Sequence, residues 1–194
     1  MAQEIEIEFK NLLLKEEFMN LIKQFKIEET DFTSQENHYL DTGDFQLRKM
    51  ESALRIRNKK NTYTLTLKTP LKEGLLETHQ TLSPQETIGV LKQNNLPDGE
   101  VKDMLLKLGL SIPSIRHFGS LVTNRAEIEY NEGLLVFDKS SYFNKIDYEL
   151  EYEVHDYKHG EKNFLDLLTR HGIPQRETEN KIKRFFHEKV RNQL

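Results

Sequence analysis

Three observations predict an α+β, β-dominated fold: an eight-stranded antiparallel β-barrel with helices packed on its outside. The first is a set of strictly alternating stretches, of which Glu4-Ile5-Glu6-Ile7-Glu8-Phe9-Lys10 is the clearest. Side chains of a strand alternate between faces, so Ile5, Ile7 and Phe9 share one face while Glu4, Glu6, Glu8 and Lys10 share the other. The second is that eight stretches of this kind can be counted, joined by connections that suit antiparallel pairing. Closing such a sheet removes the unpaired edges that an open one would leave. The third is that the helical stretches each carry an apolar stripe, and every stripe needs a surface to cover.

The elements follow in chain order. After the first strand, Phe18, Leu21, Ile22 and Phe25 stand at helical spacing within Lys15 to Lys26. Glu36 to Thr42 reads as a strand, with His38 and Leu40 opposite Tyr39 and Asp41, and Asp41-Thr42-Gly43-Asp44 turns the chain. Ala53 to Lys59 and Tyr63 to Lys68 alternate around a tight turn at Lys60-Asn61. This puts Arg55 with Arg57 on one face, and Thr64 with Thr66 and Lys68 on one face of the partner. Leu75 to Thr81 is the fifth strand, with Glu77 and His79 on the same side. Ser83-Pro84-Gln85-Glu86 has the form of a helix start: an N-cap serine, proline at the first helical position and glutamate three residues after the cap. That helix runs to about Asn94, and a second, near Glu100 to Leu108, stops at Gly109. Ile115 to Tyr130 and Leu134 to Tyr142 form a long hairpin around Asn131-Glu132-Gly133. Asp147 to His155 is the last strand. Two helices close the chain, one from about Glu161 to His171 with Phe164, Leu167 and Leu168 inward, the other from near Thr178 with Ile182, Phe185 and Phe186. His155 and His159 read as a solvated turn and Lys158 to Lys162 as a charged loop.

Length and composition bound the function. The 194 residues suit a single domain, 1–194, with a full hydrophobic core. A net charge of -4 argues against bulk nucleic-acid binding, though not against a local basic pocket. The chain has no cysteine, so neither a disulfide framework nor a thiolate metal site is available. No apolar run has the length of a membrane span, and no apolar signal region follows Met1; a cytoplasmic location is expected.

The helices also decide which face of the barrel is polar. Their apolar stripes pair naturally with an apolar outer sheet surface, and this leaves the charged faces inside. The lumen would then hold Glu6, Glu8, Glu149, Glu151 and Glu153 together with Lys10, Arg55, Arg57, Lys68 and Arg125. Buried unpaired charges cost several kcal/mol each. That cost persists where a ligand uses them. Carboxylate clusters suit hard divalent cations such as Mg²⁺ and Mn²⁺. Clustered arginine and lysine suit phosphate oxygens. Together they describe a site for a polyphosphate bridged by metal ions.

Glu6-Ile7-Glu8-Phe9-Lys10 resembles the Glu-x-Glu-x-Lys signature of the CYTH superfamily, also called triphosphate tunnel metalloenzymes. Further matches arrive in family order: Tyr39-Leu40-Asp41-Thr42, Leu54-Arg55-Ile56-Arg57, Leu65-Thr66-Leu67-Lys68, then Glu77, Arg125, Asp138, the Glu149/Glu151 pair and Lys181. The resemblance covers essentially the whole chain and is nearest to the compact bacterial members. It implies an eight-stranded tunnel. Glu6, Glu8, Asp138, Glu149 and Glu151 would hold Mg²⁺ or Mn²⁺. Lys10, Arg55, Arg57, Lys68, Arg125 and Lys181 would hold phosphates, with Glu6, Glu8, Lys10, Glu149 and Glu151 in catalysis. One position departs from the pattern: many members carry lysine where this chain has Thr123, so Arg116 or Lys139 is a candidate to bind phosphate in its stead.

The implied activity is metal-dependent hydrolysis of a triphosphate, whether inorganic or carrying a nucleoside or thiamine. Alternatives are an adenylyl cyclase, and a non-catalytic polyphosphate- or nucleotide-binding module. The expected partner is a triphosphate-containing small molecule, with no membrane; a homodimer is compatible with the sequence.

Overall fold

The computed structural model describes residues 3–192. In chain order the elements are β1 (Gln3–Leu13), α1 (Lys15–Gln24), β2 (Thr33–Thr42), α2 (Gln46–Lys49), β3 (Ala53–Lys59), β4 (Thr62–Pro70), β5 (Leu75–Leu82), α3 (Pro84–Gln93), α4 (Glu100–Lys107), β6 (Ile115–Tyr130), β7 (Gly133–Tyr142), β8 (Lys145–Val154), α5 (Tyr157–Arg170) and α6 (Lys181–Asn192). The strands form one antiparallel sheet that closes into a barrel in the order β1-β5-β4-β3-β2-β6-β7-β8. The chain divides into two compact units, one of residues up to Ile5 with Gln35–Leu121, the other of Glu6–Ser34 with Val122 onward. Among the described residues no helix is long and apolar enough to cross a membrane.

In the first unit the hairpin turn between β3 and β4 is Lys60-Asn61, with φ of 51° and 62°. Two left-handed residues give the type I′ geometry, whose twist matches that of the flanking strands. Leu54, Ile56, Leu65 and Leu67 are fully buried and pack with Val90 of α3 and Val101 and Leu105 of α4. Each such side chain contributes about 1.5–3 kcal/mol on burial. The helices therefore cover the apolar face of these strands, and Arg55, Arg57, Thr66 and Lys68 lie on the opposite face. Ser83 caps α3 reciprocally: Glu86 N–H donates to its hydroxyl, 3.2 Å, and its own N–H donates to the Glu86 carboxylate, 2.8 Å. The turn before α4 requires Gly99, because its φ is 144° and a Cβ there would stand 2.4 Å from Gln80 Oε1.

The short helix α2 has no periodicity to betray it, and only a turn is predicted there. It forms because Asp41 accepts from Leu47 N–H at 2.9 Å and Arg48 N–H at 3.1 Å, and the Thr42 hydroxyl accepts from Gln46 N–H at 2.8 Å. These satisfy donors that the first helical turn otherwise leaves without partners.

In the second unit Phe137, Leu150 and Tyr152 pack with Phe18 and Leu21 of α1 and with Phe164, Leu167 and Leu168 of α5. Again the helices take the apolar face, leaving Glu149 and Glu151 on the other. The β6–β7 turn is Asn131-Glu132, with φ of 42° and 61°. Helix α5 begins at Tyr157, four residues before the predicted Glu161, because Asp156 caps it by accepting from His159 N–H at 2.8 Å. Lys158 to Lys162 is therefore the start of a helix rather than a loop, exposed except at Gly160. Helix α6 starts at Lys181, later than the predicted Thr178.

The segment before α6 is instead a strap fastened to β1. Asn11 lies on the apolar face of β1 yet is fully buried. Its amide accepts from Arg176 N–H at 2.6 Å and donates to Pro174 O at 3.2 Å. Leu12 N–H donates to Thr178 Oγ1 at 2.9 Å, and Arg176 grips Glu17 with two bonds of 2.7 and 2.8 Å. The Arg176 guanidinium holds the Glu17 carboxyl below its usual range.

Candidate active site

Pairing register brings the second unit's charges together. Arg125 stands opposite Asp138, Asp138 opposite Glu149, and Lys10 opposite Glu151. Asp138, Glu149 and Glu151 are 0%, 1% and 5% exposed. Arg125 holds Asp138 by a bidentate pair of 2.8 and 2.6 Å and reaches Glu151 at 2.7 Å. From α6, Lys181 Nζ is 2.8 Å from Asp138 and 2.9 Å from Glu149, and also bonds Glu151. One turn on, the buried Arg184 bonds Asp147 at 2.9 Å and Glu149. Tyr142 donates to the same Asp147 oxygen at 2.5 Å. Lys10 and Glu8 pair at 2.5 Å.

Burial and charge pull these groups apart in pKa. Burial pushes Glu149 up to about 7, against the pull of Lys181. Burial also pushes Glu153 up to about 7, helped by repulsion from Glu6, Glu151 and Glu8 and opposed by Arg125. Burial alone would raise Glu151 and Asp138, but the cations outweigh it, chiefly Lys181 for Glu151 and Arg125 for Asp138, and both are held down. Burial works against charge on Arg125 and Lys181, yet the carboxylates around them raise both pKa values.

The donor set fits a hard divalent cation. Seven carboxylates (Glu6, Glu8, Asp138, Asp147, Glu149, Glu151 and Glu153) face four cations (Lys10, Arg125, Lys181 and Arg184), and none of the eleven is fully exposed. A surplus of negative charge on half-buried and buried oxygens suits a cation with oxygen ligands.

The first unit carries the other predicted cations. Arg55, Arg57 and Lys68 occupy the polar faces of β3 and β4. Arg57 Nε donates to Asn37 Oδ1 at 3.3 Å, and Lys68 bonds Glu77. Arg55 Nε is buried with no hydrogen-bond partner among the described residues. An unpaired buried donor is costly, and an anionic ligand would satisfy it. Arg116 donates to the backbone carbonyls of Pro113 and Ile115, and Lys139 lies on the face opposite Asp138. Thr123 is buried, its hydroxyl 3.0 Å from Ser140 Oγ.

A sequence profile of the CYTH domain matches residues 4–186. The chain belongs to the CYTH domain family. A protein of Bacillus subtilis (strain 168), YjbK, provisionally named a triphosphatase, is 52% identical over 189 residues, covering 97% of this chain and 98% of its own. Among solved structures, this CYTH chain matches a Bacillus halodurans protein, provisionally named an adenylate cyclase, with a TM-score of 0.93 and 50% identity over 96% of this chain and 100% of that one. A Hippeastrum protein described as having a dominant triphosphatase activity matches with a TM-score of 0.78 and 24% identity over 95% and 96%, a likeness of fold.

Sequence reasoning missed Arg184, Asp147 and Tyr142. The signal for Arg184 was present: it follows Lys181 by three residues, which on a helix places both side chains on one face. Nothing in the pattern of β7 marked Tyr142, because its partners come from β8 and α6.

Proposed function

We propose that this CYTH-domain protein is an enzyme that hydrolyses a triphosphate with Mg²⁺ or Mn²⁺ as its cofactor. The observation that carries the reading is the second unit's surplus of carboxylates over cations, together with the interleaving of both signs. An apolar ligand has no use for this arrangement, whereas a polyphosphate with its metal needs both halves of it. The provisional triphosphatase name of a relative 52% identical supports the same reaction.

Glu6, Glu8, Asp138, Glu149 and Glu151 would hold the ion. When bound, it neutralises phosphate charge and polarises the phosphoryl oxygens. Lys10, Arg55, Arg57, Lys68, Arg125 and Lys181 would bind phosphate oxygens and spread the charge that develops in phosphoryl transfer, where positioning and electrostatics supply most of the rate. Arg125 and Lys181 are held in place by Asp138, so they reach the substrate already ordered. Arg184 acts one step back, fixing Glu149 between Asp147 and the helix that carries Lys181.

A second reading is cyclisation, favoured by the provisional adenylate cyclase name of the Bacillus halodurans relative at 50% identity. Purified protein incubated with inorganic triphosphate, ATP and thiamine triphosphate, each with Mg²⁺ and with Mn²⁺, separates the two. Orthophosphate release is the expected outcome. Cyclic AMP with pyrophosphate would replace hydrolysis by cyclisation, and tight binding without turnover would leave a binding module.

A further inference from the structure

The polar face of the first unit carries a second set of metal-capable donors. Glu4 of β1 and Glu77 and His79 of β5 offer one donor atom each, all within 4.8 Å of one another. His79 Nε2 lies 3.0 Å from Glu4 Oε1 and 3.3 Å from Glu77 Oε2. We propose that Glu4, Glu77 and His79 form a site for a borderline divalent cation of the Zn²⁺ or Co²⁺ class. Its ligands are separate from the Glu6, Glu8, Asp138, Glu149 and Glu151 set, so the proposal goes beyond the hydrolytic reading and does not depend on it.

Four features of the geometry point this way. The donor set is mixed, and an imidazole with two carboxylates selects borderline ions over Mg²⁺, which prefers oxygen alone. The spacing fits: ligand atoms roughly 2.0–2.2 Å from an octahedral or tetrahedral ion stand about 2.8–3.6 Å apart. The imidazole is oriented from behind, because the buried Thr66 takes its other nitrogen, with Oγ1 3.0 Å from Nδ1. An acceptor behind a metal-binding histidine fixes its ring and tautomer; the Thr66 hydroxyl, accepting from Nδ1–H, would fill that role and leave the Nε2 lone pair for the ion. Finally, Lys68 forms an ion pair with Glu77 Oε1, and Oε2 of the same carboxylate is the oxygen near His79.

The site also has an open route. Glu77 is buried while Glu4 is largely exposed and sits at the start of β1, so an ion would enter from the Glu4 side. Apart from an ion, only a proton on Nε2 could sit between the imidazole and the two carboxylates, and the test has to separate the two.

The experiment is calorimetric titration of the chelator-stripped full chain with Co²⁺ and, separately, with Mg²⁺. Absorption spectra are recorded during the Co²⁺ titration. Wild type is expected to bind one more equivalent of Co²⁺ than His79→Gln, and the visible band of nitrogen-ligated Co²⁺ should vanish in that variant. Glu4→Gln, a change at an exposed carboxylate that leaves packing intact, should weaken the same equivalent at least tenfold. Glu6→Gln should keep it, and Mg²⁺ isotherms should be the same for wild type and His79→Gln. Unchanged Co²⁺ stoichiometry, affinity and spectrum in both His79→Gln and Glu4→Gln would overturn the site and leave His79 as a hydrogen-bond donor to the two carboxylates. Loss of the histidine-dependent band in Glu6→Gln would overturn its separateness from the other acidic set.

Discussion

At the scale of single residues, Arg55 and Arg57 differ in a way that their shared strand face conceals. Arg57 Nε is already bonded to Asn37, whereas the Nε of Arg55 is buried without a partner among the described residues. Replacing either with alanine removes a guanidinium that can grip phosphate oxygens in pairs. We expect kcat/KM for inorganic triphosphate to fall at least tenfold in each, with the greater loss at Arg55→Ala; wild-type kcat/KM in both folded variants would remove the clamp. Glu153 gives a prediction in pH. Its carboxyl is pushed from 4.5 up to about 7, chiefly by burial. Below about pH 4.5 it is protonated in folded and unfolded chains alike and costs nothing. As pH rises from there to about 7 the unfolded chain ionises first, so the folded state loses stability across that window, and the full penalty remains above it. Metal-free Glu153→Gln should therefore melt higher than wild type at pH 8 and at the same temperature at pH 4. Equal melting temperatures at both pH values would show that the carboxyl is not strained by ionisation.

At the scale of elements, the strap of residues 174–178 decides whether α6 can deliver Lys181 and Arg184. Asn11 is its fastening on β1, and Arg176 locks it to α1 through Glu17. Asn11→Leu keeps the volume but leaves the Arg176 N–H and the Pro174 carbonyl without their partner. A buried group left unsatisfied costs about 1–3 kcal/mol. Chemical denaturation should show a loss of that size, and kcat should fall with it, because Lys181 would no longer be held against Asp138. Normal kcat in a destabilised Asn11→Leu would mean that the strap serves stability alone. Asn11 also shows where sequence reading stops. The alternation through Phe9 could be followed, but an amide in the apolar register at position 11 is explained only by the strap, whose contacts lie more than 160 residues along the chain. Helix α2 escaped notice for a related reason: it is held by the side chains of Asp41 and Thr42 in the preceding turn rather than by a stripe of its own.

At the scale of the whole molecule, most of the fold was legible. Each strand is amphipathic, each longer helix carries one stripe, and covering the stripes settles which face of the sheet is apolar. The candidate site was legible as residue types on strand faces, since alternation alone puts Glu149 with Glu151 and Arg55 with Arg57. What alternation could not show is pairing. Lys181 among Asp138, Glu149 and Glu151, Arg184 behind Glu149, and His79 between Glu4 and Glu77 all join elements far apart in sequence. The cations proposed to bind phosphate have no base-recognising motif beside them in the sequence, so inorganic triphosphate should be turned over faster than ATP; exclusive conversion of ATP to cyclic AMP would reverse that order. Hydrolysis is tested most directly on the acidic strand β1. Orthophosphate release from inorganic triphosphate should be measured with and without Mg²⁺ or Mn²⁺ for wild type, Glu6→Gln and Glu8→Gln, with the exposed α1 variant Glu16→Gln as control. The account predicts metal-dependent release by wild type and Glu16→Gln, and loss of at least a hundredfold in both β1 variants, whose folds should persist without metal because each change relieves repulsion among crowded carboxylates. Release at the wild-type rate by Glu6→Gln and Glu8→Gln, or release that ignores the metal, would contradict it.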